Sequence, residues 1–225
     1  MIELHQKEGS HNKTNWLRTM VKDIVMEFKV KTGLVRRNFN NRDFWDHRYL
    51  KNKELGSGIG SRGETKKYKR ELLQQIVDQI KPESVLDIGC GDMEVSSVLP
   101  AKNYTGLDIS KVVIEHNRIA YSNRNFISGN FLEMDLAPAD IAISFDVLIH
   151  LPSCNEYKAF VQKIVALAMR YGIISGYESV PAKGAQITFF YEPLSKTLQS
   201  AGAQNIRKIG EYQQVTIFRF EKHIQ

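Results

Sequence analysis

The chain has 225 residues, of which 42% are hydrophobic and 25% are charged, the balance of an ordinary globular protein. This length suits one α/β domain with an appendage or two small domains, and we find no apolar run of about 18 residues that would predict a transmembrane segment. Two cysteines and a start without an apolar core argue against a disulfide framework and a signal peptide, so we expect a cytoplasmic protein.

The net charge of +6 is concentrated in the N-terminal third of the chain. Residues 1–70 hold 17 Lys/Arg and 8 Asp/Glu, whereas residues 71–225 hold 14 and 17. A solvated basic face explains this excess without any ligand. The alternatives are that the segment attracts an anionic acceptor, nucleic acid or an anionic membrane surface.

The first predicted element is a helix from Thr14 to about Lys31, in which apolar residues form one stripe opposite a charged face. The stripe favours packing on the domain or on a partner subunit over a membrane anchor, so a homodimer through this helix is one interpretation. Residues 38–63 are polar and glycine-rich, and we predict loop and turns there. The next predicted helix covers Lys66–Ile80.

Beyond this helix, short apolar runs alternate with helical patterns. The alternation predicts a Rossmann-like α/β fold: a seven-stranded, mostly parallel sheet with an antiparallel last strand and helices on both faces. An N-terminal helical and loop lid over residues 1–65 would precede this domain at residues 66–225. The predicted strands cover residues 84–89, 104–109, 125–130, 140–147, 171–179, 203–212 and 214–220, and the predicted helices cover 111–122, 155–170 and 192–202.

Two glycine-rich stretches compete for the cofactor. Residues 56–63 read GSGIGSRG and match the G-x-G-x-x-G spacing of a dinucleotide site, but no buried strand precedes them. Residues 85–92 read VLDIGCGD, in which a buried strand comes directly before the two glycines. Glu94 stands where a third glycine of the dinucleotide pattern would fall, and Asp87 adds a second negative charge, so a pyrophosphate is disfavoured. A cationic cofactor without phosphate fits this turn better.

The stretches VLDIGCGD and YTGLDIS resemble the first two motifs of the class I S-adenosylmethionine-dependent methyltransferases, and the resemblance extends over about residues 68–220. It implies S-adenosylmethionine as cofactor, with Asp108 accepting hydrogen bonds from both ribose hydroxyls. It further implies that Asn130 meets the adenine amine, with Phe131 beside the ring. The cofactor-binding residues that it implies in the domain are Asp87, Gly89, Cys90, Gly91, Asp108, Ile109, Asn130, Phe131 and Phe145.

The stretch FWDHRY with the following Gly/Ser loop resembles the leader of small-molecule methyltransferases, which folds over the cofactor as a lid. On that resemblance, Trp45 and Tyr49 wall the methionine end of the cofactor. Arg48 or Arg62 pairs with its carboxylate, because a guanidinium binds a carboxylate in a planar fork. The alternative is a flexible surface loop with solvated arginines.

The acceptor should lie beyond the carboxyl ends of the strands, as ligands do in open α/β sheets. Asp146 and His150 are four residues apart and would share one face of a helical turn. His150 is the candidate general base, or else it packs behind the cofactor. Tyr177 and Glu178 follow the fifth strand and would orient the acceptor. No cysteine or histidine spacing predicts a metal site.

A softer resemblance, in FWDHRY, SFDVLIHLP and ITFFYEPLS, is to bacterial enzymes that methylate surface polysaccharides or their phosphorylated and nucleotide-linked precursors. It implies a small, anionic acceptor. An RNA or protein methyltransferase is the second hypothesis, against which stands the lack of a nucleic-acid module in the sequence. A non-catalytic subunit that binds S-adenosylmethionine is the third.

Overall fold

A seven-stranded sheet runs through the residues that the computed structural model describes, which are 40–100, 102–182 and 187–222. The strands are β1 (Val85–Ile88), β2 (Tyr104–Asp108), β3 (Asn125–Ser128), β4 (Ala139–Ser144), β5 (Ala168–Gly176), β6 (Gln204–Tyr212) and β7 (Val215–Glu221). Their order is β3-β2-β1-β4-β5-β7-β6, in which β7 is antiparallel to β5 and β6 and the other neighbouring pairs are parallel. This confirms the predicted fold class.

Helices cover both faces of this sheet. One core cluster joins alternate residues of β1 and β4, such as Leu86 and Ala142, to helices α4 and α5. The other cluster joins Val85 and Ile143 to helices α2 and α3. Strands buried on both faces explain the unbroken apolar runs in the sequence. The helices are α1 (Asn41–Lys51), α2 (Gly63–Ile80), α3 (Lys111–Ala120), α4 (Cys154–Leu167) and α5 (Leu194–Ser200).

The order in which successive strands are added to the sheet reverses between β1 and β4. Strands β2 and β3 lie on one side of β1, and β4 begins the other side. In open sheets of this kind a crevice opens at the carboxyl ends of the two strands where the order reverses. The residues that follow β1, β2 and β4 therefore meet at one edge.

The predicted loop over residues 38–63 is wrong in its first part, because α1 lies there. Asn40 caps this helix, and its side chain accepts hydrogen bonds from the backbone of Arg42 and Asp43. Tyr49 is the one buried residue of α1, so the sequence shows no apolar stripe. The capping residue Asn40, rather than a hydrophobic periodicity, was the signal in the sequence that could have predicted this helix.

The boundaries of the other helices differ from the sequence prediction by up to three residues. Helix α2 begins at Gly63 instead of Lys66. Helix α4 ends at Leu167, short of the predicted residue 170, because Ala168 is already extended and pairs with Ala139 of β4. The predicted helix over residues 14–31, and a dimer contact through it, lie outside the described residues. Within the described residues, no helix has both the length and the apolar character for a membrane crossing.

Candidate active site

The turn after β1 is shaped by two glycines with left-handed backbones. Gly89 has φ of +76° and Gly91 has φ of +53°, a region that residues with a side chain rarely adopt. A Cβ at Gly89 would lie 2.1 Å from Val147 Cγ2. The amides of Gly89 and Cys90 both donate to Leu107 O, at 2.7 and 3.0 Å. The turn is thereby folded onto the end of β2.

Asp108, the last residue of β2, is 7% exposed and lies beside this turn. Its Oδ2 accepts a hydrogen bond from Gly91 N at 3.0 Å, and its Oδ1 accepts one from Ser110 N at 2.9 Å. Burial raises the pKa of Asp108 to about 6. A carboxylate oxygen has two lone pairs, so each oxygen retains one for a ligand hydroxyl.

Asp87 and Cys90 are buried as well. Asp87 is 2% exposed, and its Oδ2 accepts a hydrogen bond from Tyr104 OH at 2.7 Å. Burial raises the pKa of Asp87 and raises that of the Cys90 thiol well above its ordinary range. The thiol therefore stays protonated and shapes the turn without acting as a nucleophile. A direct contact of either residue with the cofactor remains a prediction.

Four further residues predicted to bind the cofactor, of which Asn130 and Phe131 were predicted at the adenine, occupy three different environments. Asn130 follows β3, and its Oδ1 accepts from Leu132 N at 3.1 Å while its amide donates to Glu133 at 2.8 Å. The ring of Phe131 is buried against Phe160, with centroids 4.6 Å apart, so it packs mainly into the core. Ile109 and Phe145 are half-buried and remain candidates for contact.

The loop after α1 is bonded to the β1 turn at Asp92. Ser57 donates to this carboxylate from its backbone at 3.1 Å and from its hydroxyl at 2.8 Å. Arg62 Nη2 pairs with the same carboxylate at 2.6 Å, and Tyr49 OH lies 2.9 Å from Ser57 Oγ. A Cβ at Gly91 would lie 2.3 Å from Ser57 Oγ, so the loop lies directly against the turn.

The two arginines that were candidates for the cofactor carboxylate differ in their partners. Arg62 is paired with Asp92. Arg48 donates from Nε to Gly56 O at 2.9 Å and stacks 5.5 Å from the Trp45 ring. Burial lowers the pKa of Arg48, and within the described part of the chain no acidic side chain forms an ion pair with it. Arg48 is therefore half-buried and, among the described residues, lacks the carboxylate partner that Arg62 has.

Helix α1 is also fixed beside the Asp108 carboxylate. Asp46 Oδ1 accepts from Ser110 Oγ at 2.5 Å and from Val112 N at 3.3 Å. Because Val112 lies in the first turn of α3, Asp46 adds a capping acid to that helix. The sequence analysis missed this contact, which joins residues 64 positions apart.

Asp146, after β4, is the centre of a side-chain network. Lys69 Nζ donates to its Oδ2 at 2.5 Å, and Tyr212 OH donates to its Oδ1. The Asp146 amide donates to Ser175 Oγ at 2.8 Å. Sequence reasoning missed Lys69 and Tyr212. Lys69 lies four residues before the buried Leu73 on one face of α2, which was a usable signal.

The predicted helical turn from Asp146 to His150 does not form. Asp146 has a left-handed backbone with φ of +60°, and the short 3₁₀ helix begins only at Leu148. The His150 ring instead meets the Trp45 ring edge-on, with centroids 5.4 Å apart. The His150 carbonyl accepts from Asn41 Nδ2 at 3.2 Å, so α1 reaches this edge as well.

Tyr177 follows β5 and lines a crevice beside these residues. It is 8% exposed and forms part of the wall of a small, open crevice. Glu178 points elsewhere: it accepts from Ser195 N at 2.8 Å and Ser195 Oγ at 2.7 Å, at the start of α5. The crevice is lined by Leu148, Ile149, Tyr157, Gly176, Tyr177, Phe189, Phe190, Tyr191 and Glu192.

Comparison with known proteins agrees with this geometry. The model of a methyltransferase domain matches residues 86–175. The magnesium protoporphyrin IX methyltransferase of Synechocystis PCC 6803, solved with bound S-adenosylhomocysteine, is 21% identical over 85% of this chain and 100% of that chain, with a TM-score of 0.56. An S-adenosylmethionine-dependent methyltransferase of Clostridium acetobutylicum is 10% identical over 81% and 99%, with a TM-score of 0.58.

A third similar structure is the N-methyltransferase NodS of Bradyrhizobium japonicum, 12% identical over 69% of this chain and 94% of that chain, with a TM-score of 0.57. At these identities the structural likeness establishes a shared fold. No curated protein matches the chain in sequence. With the sheet order and the glycine turn, the matched domain defines an enzyme, a methyltransferase that depends on S-adenosylmethionine.

Proposed function

We propose that the chain transfers a methyl group from S-adenosylmethionine to a small, anionic acceptor, and that Asp108 holds the cofactor's ribose. The observation that carries the proposal is the hydrogen bonding of the Asp108 carboxylate. Each of its oxygens accepts one backbone amide, from Gly91 or Ser110. The second lone pair of each oxygen suits one hydroxyl of a vicinal diol.

The surrounding charges support a cofactor without phosphate. Asp87, Asp92 and Asp108 lie at or beside the turn, where a pyrophosphate would be repelled. S-adenosylmethionine supplies, when bound, a methyl group on a cationic sulfur. Arg48 would pair with the carboxylate of the cofactor, and Trp45 and Tyr49 would shield its methionine end from water. Arg62, held by Asp92, would keep the loop in place.

The remaining predicted residues divide between adenine and acceptor. Asn130 would meet the adenine amine, beside the apolar side chains of Ile109 and Phe145. Methyl transfer is an in-line displacement, so the main tasks of the protein are alignment and exclusion of water. His150 would take a proton where the acceptor has one to lose, and Tyr177 would orient the acceptor in the crevice.

The charge of the acceptor is proposed from the composition of the N-terminal third, and its small size from the resemblance in the sequence. The excess of basic residues over acidic ones in residues 1–70, 17 against 8, would attract an anion. With the sequence resemblance in FWDHRY and SFDVLIHLP, we place the acceptor among phosphorylated or nucleotide-linked sugars used in surface polysaccharides.

The test is incubation of the full chain with methyl-labelled S-adenosylmethionine and four acceptor classes: phosphorylated sugars, nucleotide-linked sugars, RNA and protein. Label is expected on a sugar phosphate or a nucleotide-linked sugar. Salt-sensitive labelling of RNA alone would instead identify the RNA methyltransferase of the second hypothesis. Cofactor binding without transfer to any class would favour the non-catalytic subunit.

A further inference from the structure

A fully buried lysine lies between the leader loop and the acceptor side of the site. Lys69, on α2, has a side chain that is 0% exposed. Its ammonium donates to Gly60 O at 2.7 Å and to Asp146 Oδ2 at 2.5 Å, and lies 4.1 Å from the centre of the Tyr212 ring. Burial lowers the pKa of Lys69, and the charge of Asp146 opposes this.

The contacts of Lys69 come from three segments that are far apart in the chain. Gly60 belongs to the loop between α1 and α2, Asp146 follows β4, and Tyr212 ends β6. Burying a charged group costs free energy unless partners compensate for the lost water. On the apolar face of α2, the partners of Lys69 provide this compensation. The lysine is therefore a junction between elements rather than a surface charge.

The glycine loop depends on the same junction. A Cβ at Gly60 would lie 2.6 Å from Asp146 Oδ2 and 3.5 Å from Lys69 Nζ, so the loop backbone lies directly on this ion pair. On both sides of Gly60 the loop is bonded to Asp92, through Ser57 before it and Arg62 after it. Residues 56–62 thus have one attachment at the cofactor turn and a second at the acceptor side.

We propose that Lys69 is a positioning residue that fixes the leader loop, residues 56–62, against Asp146, so that the loop covers both sides of the site as one piece. The inference rests on the proposed function, in which the turn at Gly91 holds the cofactor. Lys69 acts through the loop and through Asp146. Without its ammonium the loop keeps the attachment at Asp92 and loses the one at Asp146.

The test compares Lys69→Met with Lys66→Met. Lys66 lies one turn earlier on α2 and pairs with Glu94 at 2.8 Å, so the control removes the same charge and an ion pair from the same helix. We measure hydrogen exchange of the amides of residues 56–62 in the ligand-free full chain, and the rate at which S-adenosylhomocysteine is released. Lys69→Met should raise both rates about tenfold, and Lys66→Met less than about twofold.

Gly60→Ala provides the second variant, because it acts on the same junction without altering α2. Its methyl group should push the loop from Asp146 and raise the same two rates. Unchanged rates in both variants would overturn the inference while leaving the cofactor assignment in place. Failure of the wild-type chain to bind S-adenosylhomocysteine would overturn the proposed function, and the ligand-free exchange would still decide the role of Lys69.

Discussion

The proposed cofactor side of the site, around Asp108, and the proposed acceptor side, around Asp146, are built by different means. At the cofactor side, Asp108 is held by backbone amides of its own and the neighbouring strand end. At the acceptor side, Asp146 is held by side chains of Lys69, Ser175 and Tyr212, which lie on three other elements. Backbone amides follow from the turn, so the first arrangement appears as a spacing in the sequence. The second depends on which elements the fold brings together.

The largest effect is expected from Asp108→Ala, which removes the group that defines the cofactor side. Hydrogen bonds to a charged group contribute about 1.5–3 kcal/mol each, so losing two of them should weaken S-adenosylhomocysteine binding by at least about 100-fold in a calorimetric titration. The matched control is Asp140→Ala. Asp140 is a buried acid that pairs with Arg170, and it lies at the start of β4, away from the strand ends that form the site. This substitution should lower the free energy of unfolding and leave affinity within about twofold. Equal affinities of Asp108→Ala and wild type would remove the cofactor assignment.

The next effect is a dependence of S-adenosylhomocysteine binding on pH, which the titration of Asp108 should cause. Burial raises the pKa of Asp108 to about 6, and the ligand hydroxyls need its ionised form. Below this pH, affinity for S-adenosylhomocysteine should fall about tenfold per unit.

In the ligand-free protein, the contribution of Asp108 to stability changes with pH in the opposite direction to its contribution to binding. Because the folded pKa exceeds the unfolded value of about 4, the folded state binds more protons between these values, and the contribution of Asp108 to stability is lost as pH rises from about 4 to about 6. Melting temperatures with and without S-adenosylhomocysteine should therefore diverge as pH rises from about 5 to about 6.5 and keep a constant difference above that. A ligand-induced shift that is already constant between these two pH values would contradict the role of Asp108.

The smallest effect separates the two arginines of the leader. Arg48→Met should weaken S-adenosylhomocysteine binding by about fivefold to tenfold, because it removes a partner of the ligand carboxylate. Arg62→Met should weaken it less, by about twofold to threefold, since Arg62 is paired with Asp92 and acts through the loop. The same titration measures both variants. The reverse order would assign the carboxylate to Arg62.

The cofactor side was largely predictable from the sequence, because each of its parts is local. The strand over Val85–Ile88, the two glycines after it and the acid that ends β2 each carry their own pattern. Helix α1 was missed because it buries one residue, Tyr49, and so has no apolar periodicity. Its cap at Asn40 was present in the sequence.

The acceptor side was predictable in its position and not in its contacts. The rule for open sheets placed Asp146 and Tyr177 at the correct edge. Their partners could not be predicted, since Tyr212 reaches Asp146 from 66 residues away and depends on the placement of β6 at the far edge of the sheet. Lys69 is an intermediate case, because its spacing from Leu73 and Ile76 predicts burial and leaves its partner open.

The close approach of Val147 to Gly89 limits how this protein can diverge. Val147 Cγ2 fills the space that a Cβ at Gly89 would need, and the left-handed backbone of Gly89 disfavours a side chain there in any case. Position 147 can therefore accept a smaller residue while Gly89 stays, whereas a side chain at position 89 would require both a smaller residue at 147 and a strained backbone. If the turn holds the cofactor as proposed, evolution is freer to vary Val147 than Gly89.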